Sequence, residues 1–465
     1  MSDIKPGFVW SDKAENFASN KAMAVRLNKT INEATVNLNE VLGWINVKDY
    51  GAVGDGSTND KTAIDAAITA LTDYSVLYFP PGEYRTTGSH GISGRNHVMV
   101  LGVGSVLYQT VPANNLLEVD HTSSYIHIKD IIFAGAATAR ANGVHCRFNA
   151  QSSLIENCEF YGASDFGLFV GGTNLTEDVR IENCWSYENK GDSYHTGTVD
   201  RVLFRGCVAS NSGDDSFGII GYESSATPAK NVSLSDCTVY NSGFRGFAIE
   251  GCETLSMSNC HVFTAKGAGI EVGHYAGGSM GTNYNLDIDI RNCSMDNCIT
   301  IAGGGPYAAF NLFFAKRVRL QNCGVTNPAI NSAVAVFDFA DVQIRDLNVL
   351  FTRTGFARGL IVPNLTALNG RTAATVWGSL FINDYSFDLQ QTSNNEAIYI
   401  DPAPTITIAE LLIIDSSGSC MTSGASYIFY QGVAGTPKIG NNTCLISKSI
   451  VHGGSGTAAT LFNNN

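Results

Sequence analysis

Apolar and polar positions alternate in short runs that recur along the middle of the chain. "SSLIENCEFY", "DVRIENCWSY", "RVLFRGCVAS", "NVSLSDCTVY", "TLSMSNCHVF", "DIDIRNCSMD" and "RVRLQNCGVT" each set a Cys behind alternating apolar residues, at positions 158, 184, 207, 237, 260, 293 and 323. The interval varies between 23 and 33 residues. An eighth copy, "DVQIRDLNVL", has Leu347 in the Cys place. Period-2 alternation makes each copy a strand, and repeats of this length bury their apolar faces by stacking on one another. The pattern predicts an all-β fold, a right-handed parallel β-helix with a constant core and loops of variable length.

A second strand follows in each coil, in "GLFVGG", "SYHTGT", "SFGIIGY", "GFAIEG" and "GIEVGHY". Leu168, Tyr194, Phe217, Phe247 and Ile270 should point inward there. Asn211, Asn241, Asn297 and Asn327 each stand four residues after a Cys and should stack at a turn, bonding neighbouring backbone. Ahead of the coils, "STND" precedes a run in which Ile64, Ala67, Ile68 and Leu71 share one helical face, so a capping helix is expected over about 60–71. The division is 1–43, 44–350 for the coils, and a β-rich region over 351–465 that reads either as further coils or as an intertwined trimer domain. In the first segment Phe17, Ala24, Ile31 and Leu38 fall seven apart, as do Leu27, Ala34 and Val41. That spacing suits a short trimeric coiled coil, or one amphipathic helix packed on the solenoid.

Composition narrows the partners. The net charge is −13 and no Lys/Arg cluster exists, which argues against nucleic acid and against an anionic membrane. The start lacks the apolar core of a signal peptide, and no run is long enough for a membrane span, so synthesis in a cytosol is expected. Twelve Cys without a zinc spacing read as small buried hydrophobes with free thiols.

The Cys register also places chemistry. Eight residues beyond successive Cys stand Asp192, Asp215 and Arg245, with Phe166 and Ala268 in the flanking coils. Equivalent positions stack about 4.8 Å apart. Two carboxylates and a guanidinium thus form one column, and Asp214 adds a third carboxylate beside it. Alternation would turn Asp192 and Asp215 inward, so a bend is expected before Ser193 and Ser216, where Gly191 and Gly213 allow one. His195 and Glu271 take outward slots, Glu250 lies one step along, and His274 and Tyr275 follow at a strand end. Repulsion among the three Asp should hold one proton near neutral pH.

The pieces "YGAVGDG", "ND", "AI" and "YFPPGEY", followed by the coils, resemble the pectate-lyase-like β-helix superfamily, in particular phage tailspikes and capsule depolymerases. Within it the acid column is similar to that of the polygalacturonase-type glycoside hydrolases. Their Gly/Gln-Asp-Asp motif is matched by "GDDS", giving Asp214 and Asp215, and "KGDS" keeps only the Asp of their Asn-Thr-Asp-Gly motif, as Asp192. Their catalytic His is replaced by Arg245, and Glu271 and Gly273 stand where two basic residues are expected.

The resemblance implies a homotrimeric phage tailspike, mounted on a virion tail through its N-terminal segment, that binds and cleaves a bacterial capsular or surface polysaccharide outside the cell. Glycoside hydrolysis would use Asp215 as acid and Asp192 with Asp214 as base, with Arg245, His195, Glu250, Glu271, His274 and Tyr275 contacting substrate and no cofactor. Two rivals stay open. A polysaccharide lyase would use Arg245 with His195 or Tyr194, and Ca²⁺ on Asp214 and Asp215. A non-enzymatic receptor-binding spike would need none of the acids.

Overall fold

The computed structural model describes residues 43–462, apart from 222–226, 274–283, 300–307, 329–330, 352–354 and several short stretches after 365. The N-terminal segment with its heptad pattern lies outside the described residues up to position 42.

Six of the predicted copies are two strands rather than one, because the residue before the Cys breaks the run, while the copies at Cys323 and Leu347 lie within the unbroken strands Ala308–Thr326 and Asn331–Phe351. Asn157, Asn183, Asp236, Asn259, Asn292 and Asn322 adopt φ between 51° and 56°, and Gly206 takes 63°. Asn and Asp tolerate this left-handed conformation better than other side chains do. The chain therefore turns a corner at the repeat Cys, separating for example Thr176–Glu182 from Trp185–Tyr187. A third strand, such as Tyr194–Thr196, completes the coil.

The three strands of each coil pair in parallel with their counterparts in the next. On the first sheet Thr176–Glu182 lies on Val199–Arg205, which lies on Ala229–Ser235. On the second, Trp185–Tyr187, Val208–Ser210 and Thr238–Tyr240 are neighbours. On the third, Leu168–Val170, Tyr194–Thr196, Phe217–Ile220, Phe247–Glu250 and Ile270–Gly273 follow in sequence. The molecule is a right-handed parallel β-solenoid. Beyond residue 350 the strands continue the stack, as in Val376–Asn383 on Thr407–Ile414 and then Lys438–Gly440. The described part of the C-terminal region is thus further coils, with one small antiparallel hairpin at Ala367–Leu368 and Arg371–Thr372.

The core is a set of inward ladders. Tyr194, Phe217 and Phe247 stack face to face with centroids 4.7 and 4.8 Å apart, the coil spacing itself. The corner Cys residues are buried free thiols whose Sγ atoms lie against backbone carbonyls, as Cys207 does against Ile181 O at 3.4 Å. Of the Asn four residues past the Cys, Asn241 and Asn211 join through side chains, Asn241 Nδ2 donating to Asn211 Oδ1 at 2.7 Å. A second ladder, not anticipated, runs along the corner, where Asn322 donates to Asn292 and Asn292 to Asn259.

At the N-terminal end the helix runs over Lys61–Thr69, and Ile64, Ala67 and Ile68 are buried on its inner face with Leu71 just beyond. At its N-cap, Asp60 makes no side-chain hydrogen bond to the helix. Asp60 instead turns its carboxylate to Val53 N at 2.7 Å and Gly54 N at 3.1 Å, fixing the Gly-rich turn. His90 Nδ1, 2.7 Å from Asp65 Oδ1, ties the helix to the coils.

Candidate active site

The third sheet and the turn before it assemble the site. Ser193 N donates to Asp215 O and Ser216 N to Arg245 O, so Asp192, Asp215 and Arg245 occupy one position in three successive coils. The chain bends around Ser193 and Ser216, whose side chains are fully buried. That bend turns the acids away from the core. The column is bonded along its length: Asp215 N donates to Asp192 Oδ1 at 3.1 Å, and Arg245 N to Asp215 Oδ1 at 3.0 Å.

Arg245 is the hub. Its Nε and Nη2 reach Asp215 Oδ1 and Oδ2 at 3.0 and 2.8 Å, and its Nη1 bonds Glu250 and, at 2.7 Å, Glu271. Asn311 Nδ2 donates to the other oxygen of Glu271 at 2.8 Å. One guanidinium thus serves three carboxylates. Glu250 Oε2 is buried with no hydrogen-bond partner, and burial raises the Glu250 pKa although Arg245 opposes the shift.

Asp192 is held from the other side by His195, whose Nδ1 lies 2.7 Å from Oδ2. Phe166 stacks on the imidazole at 4.2 Å, and Phe169 is tilted against it at 5.2 Å. Gly218, between His195 and Ala248 in the strand register, leaves room for this pair. A Cβ there would sit 2.6 Å from Asp192 Oδ2.

One oxygen from each of Asp192, Asp214 and Asp215 lies within 4.8 Å of the others. Burial, then the charges of Asp192 and Asp214, raise the Asp215 pKa to about 7 against the pull of Arg245. Asp192 and Asp215 are each 4% exposed, whereas the Asp214 side chain is 35% exposed. The cluster meets solvent at its Asp214 edge.

Arg140 guards that edge, and sequence spacing gave no sign of it. It reaches forward from the loop after His127–Gly135, with Nε 3.0 Å from Asp165 Oδ1 and Nη1 2.5 Å from Asp214 Oδ2, 74 residues away. Only the loop's course over the coils brings these residues together.

Two expected contributors change. Tyr194 is fully buried in the core and its hydroxyl donates to Cys184 O, so it cannot serve as a base toward substrate. Arg245 is engaged by carboxylates and 11% exposed, which makes it an organiser of the cluster. His274 and Tyr275 lie outside the described residues. The acid cluster is the group among the described residues that could hold a cation. Its oxygens already accept from two guanidiniums, His195 and backbone, which does not fit a Ca²⁺ cage of about six to eight free oxygen ligands. No helix among the described residues is long and apolar enough to cross a membrane.

A solenoid with a carboxylate cluster at the edge of one parallel sheet defines a protein of the pectate-lyase-like class. The chain belongs to the rhamnogalacturonase A/epimerase, pectate lyase-like family, whose sequence model matches residues 44–276. It is 26% identical over 251 residues to rhamnogalacturonase A of Emericella nidulans, covering 53% of this chain and 43% of that protein. It is 42% identical over 217 residues to alginate lyase 7 of Azotobacter vinelandii, covering 44% of this chain and 23% of that one. The chain spans less than half the length of these curated relatives. In fold it is similar to the N-terminal fragment of bacteriophage phi29 gene product 12, with TM-score 0.55 and 14% identity over 86% of this chain and 70% of the other.

Proposed function

We propose that the chain cleaves a bacterial surface polysaccharide by glycoside hydrolysis, with Asp215 as general acid and Asp192 with Asp214 as base. The observation that carries the reading is the meeting of three carboxylates across two coils, one of them raised to a pKa of about 7. Asp215 delivers its proton to the glycosidic oxygen as the bond to the anomeric carbon breaks. Asp192 or Asp214 removes a proton from the water whose oxygen bonds to that carbon. One water is consumed and one reducing end appears per cut. The relatives support a polysaccharide substrate, since one is a rhamnogalacturonase and another an alginate lyase.

The loss of Tyr194 and Arg245 as candidate bases favours hydrolysis over β-elimination. We further propose a virion-borne homotrimeric tailspike attached through residues 1–43, a reading supported by the fold likeness to a bacteriophage protein. Light scattering on the full chain tests the trimer: a monomer contradicts it.

The closure of the cluster favours a second reading. With Asp192, Asp215, Glu250 and Glu271 all buried, the network could serve only to lock coils together in a spike that binds without cutting. An assay of new reducing ends on candidate capsular polysaccharides separates the two. Ends formed by the native chain and lost in Asp215→Asn support cleavage at the acid cluster, and no ends on any polysaccharide that the protein binds support the spike.

A further inference from the structure

The outward positions of the second sheet form an aromatic ladder with one rung missing. Strand pairing puts Tyr161, Tyr187, Ser210 and Tyr240 at one height in four successive coils. Tyr161 and Tyr187 stack at 4.9 Å, and Tyr240 stacks on Phe263 at 4.9 Å with the rings 4° from parallel. Each of the inner rings, Tyr187 and Tyr240, has one face covered by its neighbour. Trp185 is tilted against Tyr187 at 5.2 Å from the same strand, and the strand register sets Tyr187 and Tyr240 on either side of Ser210.

Two coil spacings, about 9.6 Å, separate those two positions. A ring inserted between them would lie about 4.8 Å from each, within the range of stacked pairs. The gap therefore admits one ring and no more. Tyr240 and Phe263 are each 46% exposed, so the ladder stands in solvent. Beside the gap, the linked amides of Asn211 and Asn241 and the Ser210 hydroxyl supply polar groups. A ring with apolar faces and a hydrogen-bonding rim matches this environment. A pyranose is such a ring, with C–H groups on its faces and hydroxyls at its edge.

The location argues for the same occupant. Ser210 ends the strand Val208–Ser210, four residues before Asp214 in the same coil, so the gap lies on the strand that leads into the turn carrying the acids. We propose that the Ser210 gap is a pyranose subsite that holds one sugar of the polysaccharide beside the acids. This rests on the polysaccharide reading above.

The test uses full-length Asp215→Asn, which should bind without cutting, on a printed array of bacterial surface polysaccharides. Ser210→Trp fills the gap and Tyr240→Ala removes one wall. Each should weaken binding to the retained polysaccharide by about tenfold, while Tyr240→Phe keeps it. Thermal melting checks folding, and if Ser210→Trp fails to fold, the Tyr240 pair decides. Parental binding by a folded Ser210→Trp or Tyr240→Ala overturns the subsite, as does a change of oligomeric state in light scattering with sugar binding unchanged. If the Asp215→Asn parent binds nothing on the array, the polysaccharide reading itself fails and the subsite with it.

Discussion

Arg245 closes on Asp215 from the following coil with three hydrogen bonds, one from its backbone N and two from its guanidinium. Asp215 nonetheless keeps a pKa of about 7, because it is buried and two further Asp charges lie beside it. The same guanidinium is shared with Glu250 and Glu271, so its charge is divided. For a general acid at neutral pH this is a suitable state. Turnover should fall as pH rises through about 7 and Asp215 loses its proton, and a pH–rate profile of kcat that stays flat from pH 6 to about 9 would contradict that assignment.

Stability should carry the same mark. A carboxyl whose folded pKa is raised from 3.8 to about 7 binds more protons folded than unfolded between those values. Folded stability attributable to it therefore falls as pH rises across that window and levels off above it. Thermal melting between pH 4 and pH 8 should show this decline, and Asp215→Asn should flatten it. An unchanged slope in the variant counts against the raised pKa.

Removing the hub should be costly. Arg245→Ala leaves Asp215, Glu250 and Glu271 buried without their cation, a change worth about 3–5 kcal/mol of stability by the behaviour of broken buried ion pairs. Denaturant unfolding measures it, and a loss below about 1 kcal/mol would show that the network contributes little. Glu250→Gln, by contrast, replaces a carboxylate whose Oε2 has no partner and should be tolerated far better.

Gly218 makes a prediction of a different kind. An added methyl would sit 2.6 Å from Asp192 Oδ2 and 3.1 Å from His195 Nδ1, both side-chain atoms that can move. Gly218→Ala should fold, displace Asp192 and lower turnover by up to about a hundredfold through misplacement. Full activity in a folded Gly218→Ala would mean that the Asp192–His195 geometry is not used.

The repeat, the acid column and the bend before Ser193 and Ser216 were legible because parallel stacking ties sequence register to spatial position: a fixed offset from Cys184, Cys207 and Cys237 put Asp192, Asp215 and Arg245 in line. The corner at each Cys was not, since it depends on the left-handed conformation of the preceding Asn, Asp or Gly, which alternation does not report. Arg140 and Asn311 were invisible for another reason. Each reaches the site from a loop or strand whose insertion length breaks the register, 74 residues before Asp214 in one case and 40 after Glu271 in the other. Tyr194 is the converse case: alternation places its ring inward, and only the structure shows its hydroxyl spent on Cys184 O.

The ten described Cys should all titrate as free thiols, since each is buried and unbridged. Reaction with a thiol reagent should be slow in the native protein and complete after denaturation without reductant. Fewer than ten reactive groups in the denatured protein would show disulfides.

The most direct test of the central claim is mass spectrometry of the products released from a polysaccharide that the protein depolymerises, comparing the native chain with Asp192→Asn, Asp214→Asn and Asp215→Asn. The account predicts products that gain one water per cut from the native chain, and at least about a hundredfold less product from Asp215→Asn at unchanged binding. Products that lack the added water, or full depolymerisation by all three neutralised variants, would contradict it.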